Sequence, residues 1–307
     1  MKAKNIAASV RQRLLNLSKT RNENFQLTLT RYANDRLIYR LSQSPHRAAF
    51  VLKGATLFSV WADTPHRATR DVDFLTYGTP DPGRLTKVFR EVVAARLDDD
   101  DGLDFLADSV RAAPIRENYI YRGVRVQITA QLGAAVIALQ IDVGFGDAIH
   151  PSPEPVTLPP LLDQPPAILN AYRQETVLAE KLHAIVSLGI ANSRMKDYFD
   201  LWTLARSFPF KGLEVADAIA ATFSRRNTEI PEEPPIGLSD EFARDGSKQS
   251  QWTGFVRRAH IPDDVPNLLE AITLISTFLL PPLHSIRAND EFTLRWQPGG
   301  PWLEVSK

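Results

Sequence analysis

Between Pro151 and Pro166 the chain carries prolines at 151, 153, 155, 159, 160, 165 and 166. Proline lacks the amide hydrogen that a helix needs and clashes with the preceding turn, so no helix can run through this stretch. We read it as a crossing segment between two halves whose apolar residues follow different rhythms. Before it, "AAFVLKG", ending at Gly54, and "DVDFLTYG" read as short buried strands. "YRGVRVQITAQL" alternates in part and "AAVIALQIDVGFGD" is almost continuously apolar, which predicts neighbouring strands joined by a hairpin across residues 130–135. "ATLFSVWAD" and the set Leu85, Val88, Phe89, Val92 and Leu97 read as helices. So do two leading segments, one through Ile6, Val10, Leu14 and Leu17, the other through Leu29, Tyr32, Ala33, Leu37 and Leu41. After the prolines the spacing is helical in "ETVLAEKLHAIVSLG", "RMKDYFDLWTLARSF", "LEVADAIAATFSRR" and "PNLLEAITLISTFLL". The expected architecture is α+β: residues 1–165 hold leading helices and a strand-rich core, and residues 166–307 are mainly helical.

Composition narrows the chemistry. There are no cysteines, which excludes disulfides and thiolate metal sites. "MKAKNIAASVRQRLL" lacks the apolar centre of a signal peptide, and "LLEAITLISTFLLPPL" carries a glutamate and ends in prolines, which reads as too short to span a membrane. The cytoplasm is the expected location, with no membrane partner. A net charge of zero argues against a wholly basic nucleic-acid binder. Residues 1–48 nevertheless hold ten Lys or Arg against Glu23 and Asp35. That imbalance permits a phosphate-bearing partner, although solvated helix faces would account for it equally well.

Asp71 and Asp73 share one face of a strand, because side chains alternate across a strand. Like charges there repel, so either the face is open to water or a cation belongs on it. Gly54 stands between a strand and a helix, 17 residues before Asp71, where bare backbone can approach a phosphate. Carboxylate ligands of this kind select Mg²⁺ or Mn²⁺. Asp142, inside an apolar strand, needs a partner; beside the Asp71–Asp73 strand it would complete three converging acids. Lys181 lies on an apolar helix, where it could snorkel to water or neutralise a triphosphate. Asp197 and Asp200 sit at i and i+3 on a helix crowded with Tyr198, Phe199, Leu201 and Trp202, with Arg194 and Lys196 near enough to hold them. Surface ion pairs are the bland alternative. The six histidines, among them His66, His183 and His260, show no metal spacing. "RWQPGGPW" reads as a packing turn between aromatics.

"FVLKGATLFSVWADTPHRATRDVDFL", "ALQIDVGFGD", "ETVLAEKLHAIV" and "RMKDYFDLW", in that order from Phe50 to Trp202, resemble the AbiEii-type nucleotidyltransferase toxins of the DNA polymerase β-like superfamily. The resemblance implies a mixed-sheet nucleotidyltransferase core, a helical remainder contributing to the active-site cleft, and a toxin–antitoxin or phage-defence role with a cognate antitoxin. It implies Asp71, Asp73 and Asp142 as metal ligands, with Lys181 facing the nucleotide and Asp197 or Asp200 as the last acid. Lys53, Gly54, Ala55 and Thr56 would form the phosphate-binding turn, with Arg70 and Arg194 offsetting phosphate charge. Family members often carry Gly-Ser or Gly-Gly at this turn; here Ala55 offers no hydroxyl, and Thr56 supplies one a position later. The implied reaction moves a nucleoside monophosphate from an NTP to an acceptor hydroxyl, with release of pyrophosphate. The acceptor expected is the 3′ end of a tRNA, with a protein hydroxyl as the alternative. A non-catalytic module binding an antitoxin or RNA is the reading from another class, disfavoured because the acids are retained.

Overall fold

The computed structural model describes residues 5–61, 67, 69–97, 99–115, 123–259, 261 and 264–304. Lys2, Lys4, His66, Asp98 and His260, and the ends of two segments quoted above (62–63 and 121–122), lie outside the described residues. The chain divides into two compact units, one of Met1–Gly146 with Glu154–Ala171, the other of Asp147–Pro153 with Tyr172–Lys307.

The first unit runs α1 (Ile6–Thr20), α2 (Phe25–Gln43), β1 (Phe50–Lys53), α3 (Phe58–Trp61), β2 (Asp71–Thr76), α4 (Pro82–Ala94), β3 (Leu103–Phe105), β4 (Arg111–Pro114), β5 (Gly123–Leu132), β6 (Ala135–Phe145), β7 (Glu154–Leu158) and β8 (Ala167–Ala171). Asn5, Asn24 and Asp81 start α1, α2 and α4 by accepting backbone N–H groups that would otherwise lack partners. The strand order is β3-β5-β6-β2-β1-β8-β7, with β4 also paired to β5. β2 runs parallel to β6 and β1 parallel to β8, while the other pairs are antiparallel, so the sheet is mixed as expected. One face is apolar: Val72 and Phe74, Ile141 and Val143, Val124 and Val126 are all buried. Phe89 of α4 meets Phe50 edge-on, and Phe50 meets Phe74 in the same way, which places α4 on this face.

The β5–β6 hairpin turns at Gly133–Ala134, inside the expected window, and Gly133 has φ +60° as a tight two-residue turn requires. The proline-dense stretch contains no helix, but it is more than a crossing. β7 lies within it, and β8 follows directly to pair with β1. Pro155 is tolerated because β7 is an edge strand with one unpaired side.

Two arginines of the basic amino-terminal region are buried rather than displayed. Arg36 and Arg40 both bind Asp101, Arg36 Nε at 3.2 Å and Arg40 Nη1 at 2.6 Å. Tyr32 Oη donates to the Asp101 carbonyl at 2.8 Å and Arg36 Nη1 to the Pro165 carbonyl at 3.2 Å, so this network ties α2 to two loops. Arg31 pairs with Glu23 and Arg13 with Asp163. Part of the amino-terminal charge is therefore used inside the fold, while Arg11, Lys19, Arg21 and Arg47 remain exposed.

The second unit comprises α5 (Gln174–Leu188), α6 (Met195–Ser207), β9 (Phe210–Lys211), α7 (Gly212–Arg225), α8 (Asp240–Arg244), α9 (Gly246–Arg258), α10 (Leu268–Ala288), β10 (Arg295–Trp296) and β11 (Trp302–Leu303). α10 does not stop at its prolines, as the sequence suggested; it continues through Pro281 and Pro282 for 21 residues. Pro282 cannot donate to the Phe278 carbonyl, and Trp302 Nε1 does so instead, at 2.9 Å. The "RWQPGGPW" turn thus packs as expected, with Trp296 Nε1 also donating to the Ala205 carbonyl. By length and composition α10 could cross a membrane. Its Leu268, Ala271, Ile272, Ile275, Phe278 and Leu279 are, however, buried within this unit, the pattern of a core helix.

Candidate active site

Asp71 and Asp73 point away from the apolar face that Val72 and Phe74 occupy. In register, Asp73 stands beside Asp142 of β6 on one side and Lys53 of β1 on the other. Arg125 of β5 lies opposite Asp142. A row of four strands therefore reads cation, acid, acid, cation: Arg125, Asp142, Asp73, Lys53. Asp71 begins the next row, beside Gln140 and then Gln127. The members of the first row are all half-buried, so water reaches part of each side chain.

Gly54 shapes one end of the row. Its φ is +76°, and a Cβ there would come within 2.3 Å of Asp73 Oδ2. Only glycine lets the turn close on that carboxylate. The turn is a 3₁₀ segment, Gly54–Leu57, so the expected helix begins at Phe58 rather than at Ala55. Lys53, Ala55 and Thr56 lie in or beside this turn, and the Thr56 carbonyl accepts from Ser59 Oγ at 2.7 Å. Arg70 precedes β2 with its side chain exposed, and Asn34 Nδ2 donates to its carbonyl at 2.9 Å.

Asp142 is where the sequence placed it, but it has a partner that sequence reading missed. Arg125 grips both its oxygens, Nε to Oδ1 at 2.8 Å and Nη2 to Oδ2 at 2.9 Å. Such a bidentate pair fixes both groups. The signal was present, since counting back equally from the Gly133–Ala134 turn sets Arg125 opposite Asp142. Among the described residues, no three His, Asp or Glu side chains form a ready-made metal cluster. The Asp71–Asp73 pair still suits a small, oxygen-seeking divalent ion. Such an ion is held by one or two carboxylates and completes its shell with water and substrate phosphate.

In the second unit, Lys181, Asp197, Asp200 and Arg194 do come together. Lys181 Nζ lies 2.9 Å from Asp197 Oδ1 and 2.7 Å from Asp200 Oδ2, and Arg194 Nε donates to Asp197 Oδ2 at 2.6 Å. The two acids are 1 % and 0 % exposed, and Lys181 12 %. Burial pushes the Asp197 carboxyl up, yet Lys181 and Arg194 outweigh it and hold the group below the usual carboxylate range. Lys196, the other cation considered for this role, is exposed.

The family model described as Nucleotidyl transferase AbiEii toxin, Type IV TA system, matches residues 36–272. The chain belongs to the AbiEii nucleotidyltransferase toxin family. Membership of a toxin–antitoxin family implies a cognate antitoxin and a nucleotide substrate. Two solved structures are similar over most of the chain. JHP933 from Helicobacter pylori is 14 % identical and has a TM-score of 0.48, with 85 % of this chain and 94 % of that one covered. A candidate nucleotidyltransferase from H. pylori is 14 % identical with a TM-score of 0.47, covering 84 % and 97 %. Among curated proteins nothing matches.

The AbiEii match spans both the Asp71–Asp73 strand and the Lys181 cluster. Neither the family's motifs nor periodicity pointed to a second network, around His183. Its ring is buried, with Nε2 at 2.8 Å from Thr228 Oγ1 and Nδ1 at 3.1 Å from Arg226 Nη1. Arg226 also reaches Asp147 and Glu180. Burial, and then Arg226, push the imidazole down to about 4, so it is neutral at physiological pH and serves as structure.

Proposed function

We propose that this AbiEii-family chain is a divalent-metal-dependent enzyme that transfers a nucleoside monophosphate from an NTP to the 3′ hydroxyl of a tRNA, in the cytoplasm, as the toxin of a toxin–antitoxin pair acting in phage defence. The observation that carries this reading is the half-buried Asp71–Asp73 pair, with the Gly54 turn closed on the Asp73 carboxylate. Asp71 and Asp73 would hold Mg²⁺ or Mn²⁺, with Asp142 next to them as the third acid. When bound, the metal supplies charge neutralisation on the phosphates and alignment of the acceptor with the α-phosphorus. The acceptor oxygen bonds to the α-phosphorus as the bond to the pyrophosphate oxygen breaks. The hydroxyl proton passes to Asp142, for which Arg125 has to yield one of its two hydrogen bonds to that carboxylate. Lys53 and the backbone of Gly54, Ala55 and Thr56 bind phosphate, and Arg70 offsets the charge on the leaving pyrophosphate. Lys181 is a positioning residue, because its ammonium group is committed to Asp197 and Asp200. Arg194, 46 % exposed and bonded to Asp197, is the more exposed cation of that cluster.

The test is incubation of the purified chain with each α-labelled NTP, Mg²⁺, and either total RNA or lysate protein. Label is expected in the RNA fraction, and chelation of the metal is expected to abolish it. Label in protein alone replaces the acceptor, and no labelling with any NTP removes the enzyme reading.

A further inference from the structure

β4 extends the sheet beyond the catalytic row. Arg111 lies opposite Gln127 and Ala113 opposite Arg125, so Arg111 and Ala113 share the open face with Asp71, Asp73 and Asp142. There the surface forms a concavity of about 380 Å³, lined by Arg111, Arg125 and Gln127 with Ala112, Pro114 and Ile115. Arg111 is exposed, yet it is anchored: Nη1 donates to the carbonyls of Asp108 at 2.6 Å and Val110 at 2.9 Å. Among the described residues no carboxylate pairs with it. A guanidinium held by backbone carbonyls, and not neutralised, is preorganised for an anion from outside.

The geometry points to this concavity as the acceptor-strand subsite, taking single-stranded RNA. Arg111 engages an upstream phosphodiester, and a base lies against Ala113 and Ile115. Arg125, tied to Asp142, forms the wall towards the reacting end. Neighbouring strands are ~4.8 Å apart, so β4 lies ~14 Å across the sheet from β2. A strand whose terminal hydroxyl is at Asp71 and Asp73 therefore carries its upstream phosphates over Arg111. The polarity and size favour RNA over a peptide: two guanidiniums and an amide around a small apolar floor match phosphate and base, whereas a peptide segment brings no regular anion. The amino-terminal helices offer fewer cations than their composition suggests, since Arg36 and Arg40 are buried on Asp101, Arg31 pairs with Glu23 and Arg13 with Asp163, while Arg11, Lys19, Arg21 and Arg47 stay exposed there.

This inference rests on the nucleotidyltransferase reading for the identity of the strand, but its test does not need catalysis. Binding of a short fluorescein-labelled single-stranded RNA is measured by anisotropy without NTP, for the parent, Arg111→Glu, Arg111→Gln and Lys87→Glu. Lys87 is exposed on α4 and serves as a control of equal charge. Arg111→Glu is expected to weaken binding about tenfold or more, and Arg111→Gln to lower the slope of log affinity against log salt by about 0.7, the loss of one single-strand phosphate contact. Thermal melts should shift only slightly and alike for both, because the side chain is exposed and the two hydrogen bonds lost are local. Parent-like RNA binding by both Arg111 variants overturns the subsite, as does equal weakening by Lys87→Glu or label found only on protein. A chain that binds RNA through Arg111 but transfers no nucleotide leaves the subsite standing and removes the proposed activity instead.

Discussion

The row Arg125–Asp142–Asp73–Lys53 in the first unit and the cluster Lys181–Asp197–Asp200–Arg194 in the second have the same inventory, two acids and two cations. They differ in how far water is excluded. Asp142 and Arg125 keep 22 % and 34 % of their side chains exposed, whereas Asp197 and Asp200 keep 1 % and 0 %. An ion pair at the edge of water can exchange partners at little cost. A sealed one cannot, because removing one member strands the other in a medium that will not solvate it. The open row is therefore suited to receiving a cation and phosphates, and the sealed cluster to fixing the position of α5 against α6. Charge content alone does not separate chemistry from scaffold; access to water does.

The sharpest way to break this contrast is Lys181→Met. The substitution keeps the apolar stem and removes the charge, leaving Asp197 and Asp200 facing each other with Arg194 the remaining member of the cluster. The expected loss is about 3–5 kcal/mol of stability, read by urea unfolding at neutral pH. Asp200→Asn in the same chain should recover part of it, since one stranded charge is then gone. A lysine that merely snorkelled would leave the melt unchanged, and so would one whose charge served only the nucleotide. An unchanged melt with lost transfer would move Lys181 from scaffold to chemistry.

Asp73→Asn should do the opposite. Its carboxylate is half-buried between Asp142 and Lys53, and asparagine keeps its shape and an oxygen, so stability should stay within about 1 kcal/mol of the parent. Nucleotide transfer should fall by more than about a hundredfold, because even outer partners of metal ligands cost ~10–100-fold when lost. A folded Asp73→Asn chain that transfers at the parent rate would take the metal away from this row and leave the two clusters equivalent.

The features legible in the sequence were those with a period. Partial alternation located β5, apolar runs located β2 and β6, the turn window placed the β5–β6 hairpin, and helical spacing gave α5, α6, α7 and α10 but missed α8 and α9. Asp71, Asp73 and Asp142 stood out because acids in apolar runs are expensive. What the sequence hid was set by tertiary partners. β7 and β8 are short, and prolines masked them, since only an edge position makes Pro155 acceptable in a strand. α10 survives its prolines because an indole 20 residues further on replaces the lost donor. Arg36 and Arg40 looked like surface charge until Asp101, more than 60 residues away, proved to be their partner. Lys181 offered two readings, and the distances to Asp197 and Asp200 show that its charge is committed locally.

The smallest effect tests whether burial alone makes an acid costly. Asp35, on α2, accepts the Leu161 N–H at 3.3 Å and feels the charge of the buried Arg36. Burial pushes its carboxyl up to about 6 from 3.8, with Arg36 and the Leu161 N–H pulling in the other direction without prevailing. The folded value lies above the unfolded one, so the native state binds the proton more tightly between pH 4 and 6. Stability from this group is therefore greatest below about 4, falls as pH rises through 6, and stays reduced above it. Asp35→Asn keeps an oxygen for Leu161 and removes the charge, so it should stabilise the first unit at pH 8 by on the order of 2 kcal/mol, and by almost nothing at pH 4. His183, in the second unit, moves the other way: its pKa is lowered to about 4, so its contribution is present above 6.5 and lost as pH falls towards 4. Hydrogen exchange at pH 8, 6 and 4.5, read separately on α2 and α5, distinguishes the two slopes. Protection of α2 should rise with acidity in the parent and lose that dependence in Asp35→Asn, while α5 is unaffected by the substitution. If Asp35→Asn instead loosens α2 at pH 8, the carboxylate is a counter-ion that Arg36 requires, and the first unit contains a sealed ionic cluster of the same kind as the second.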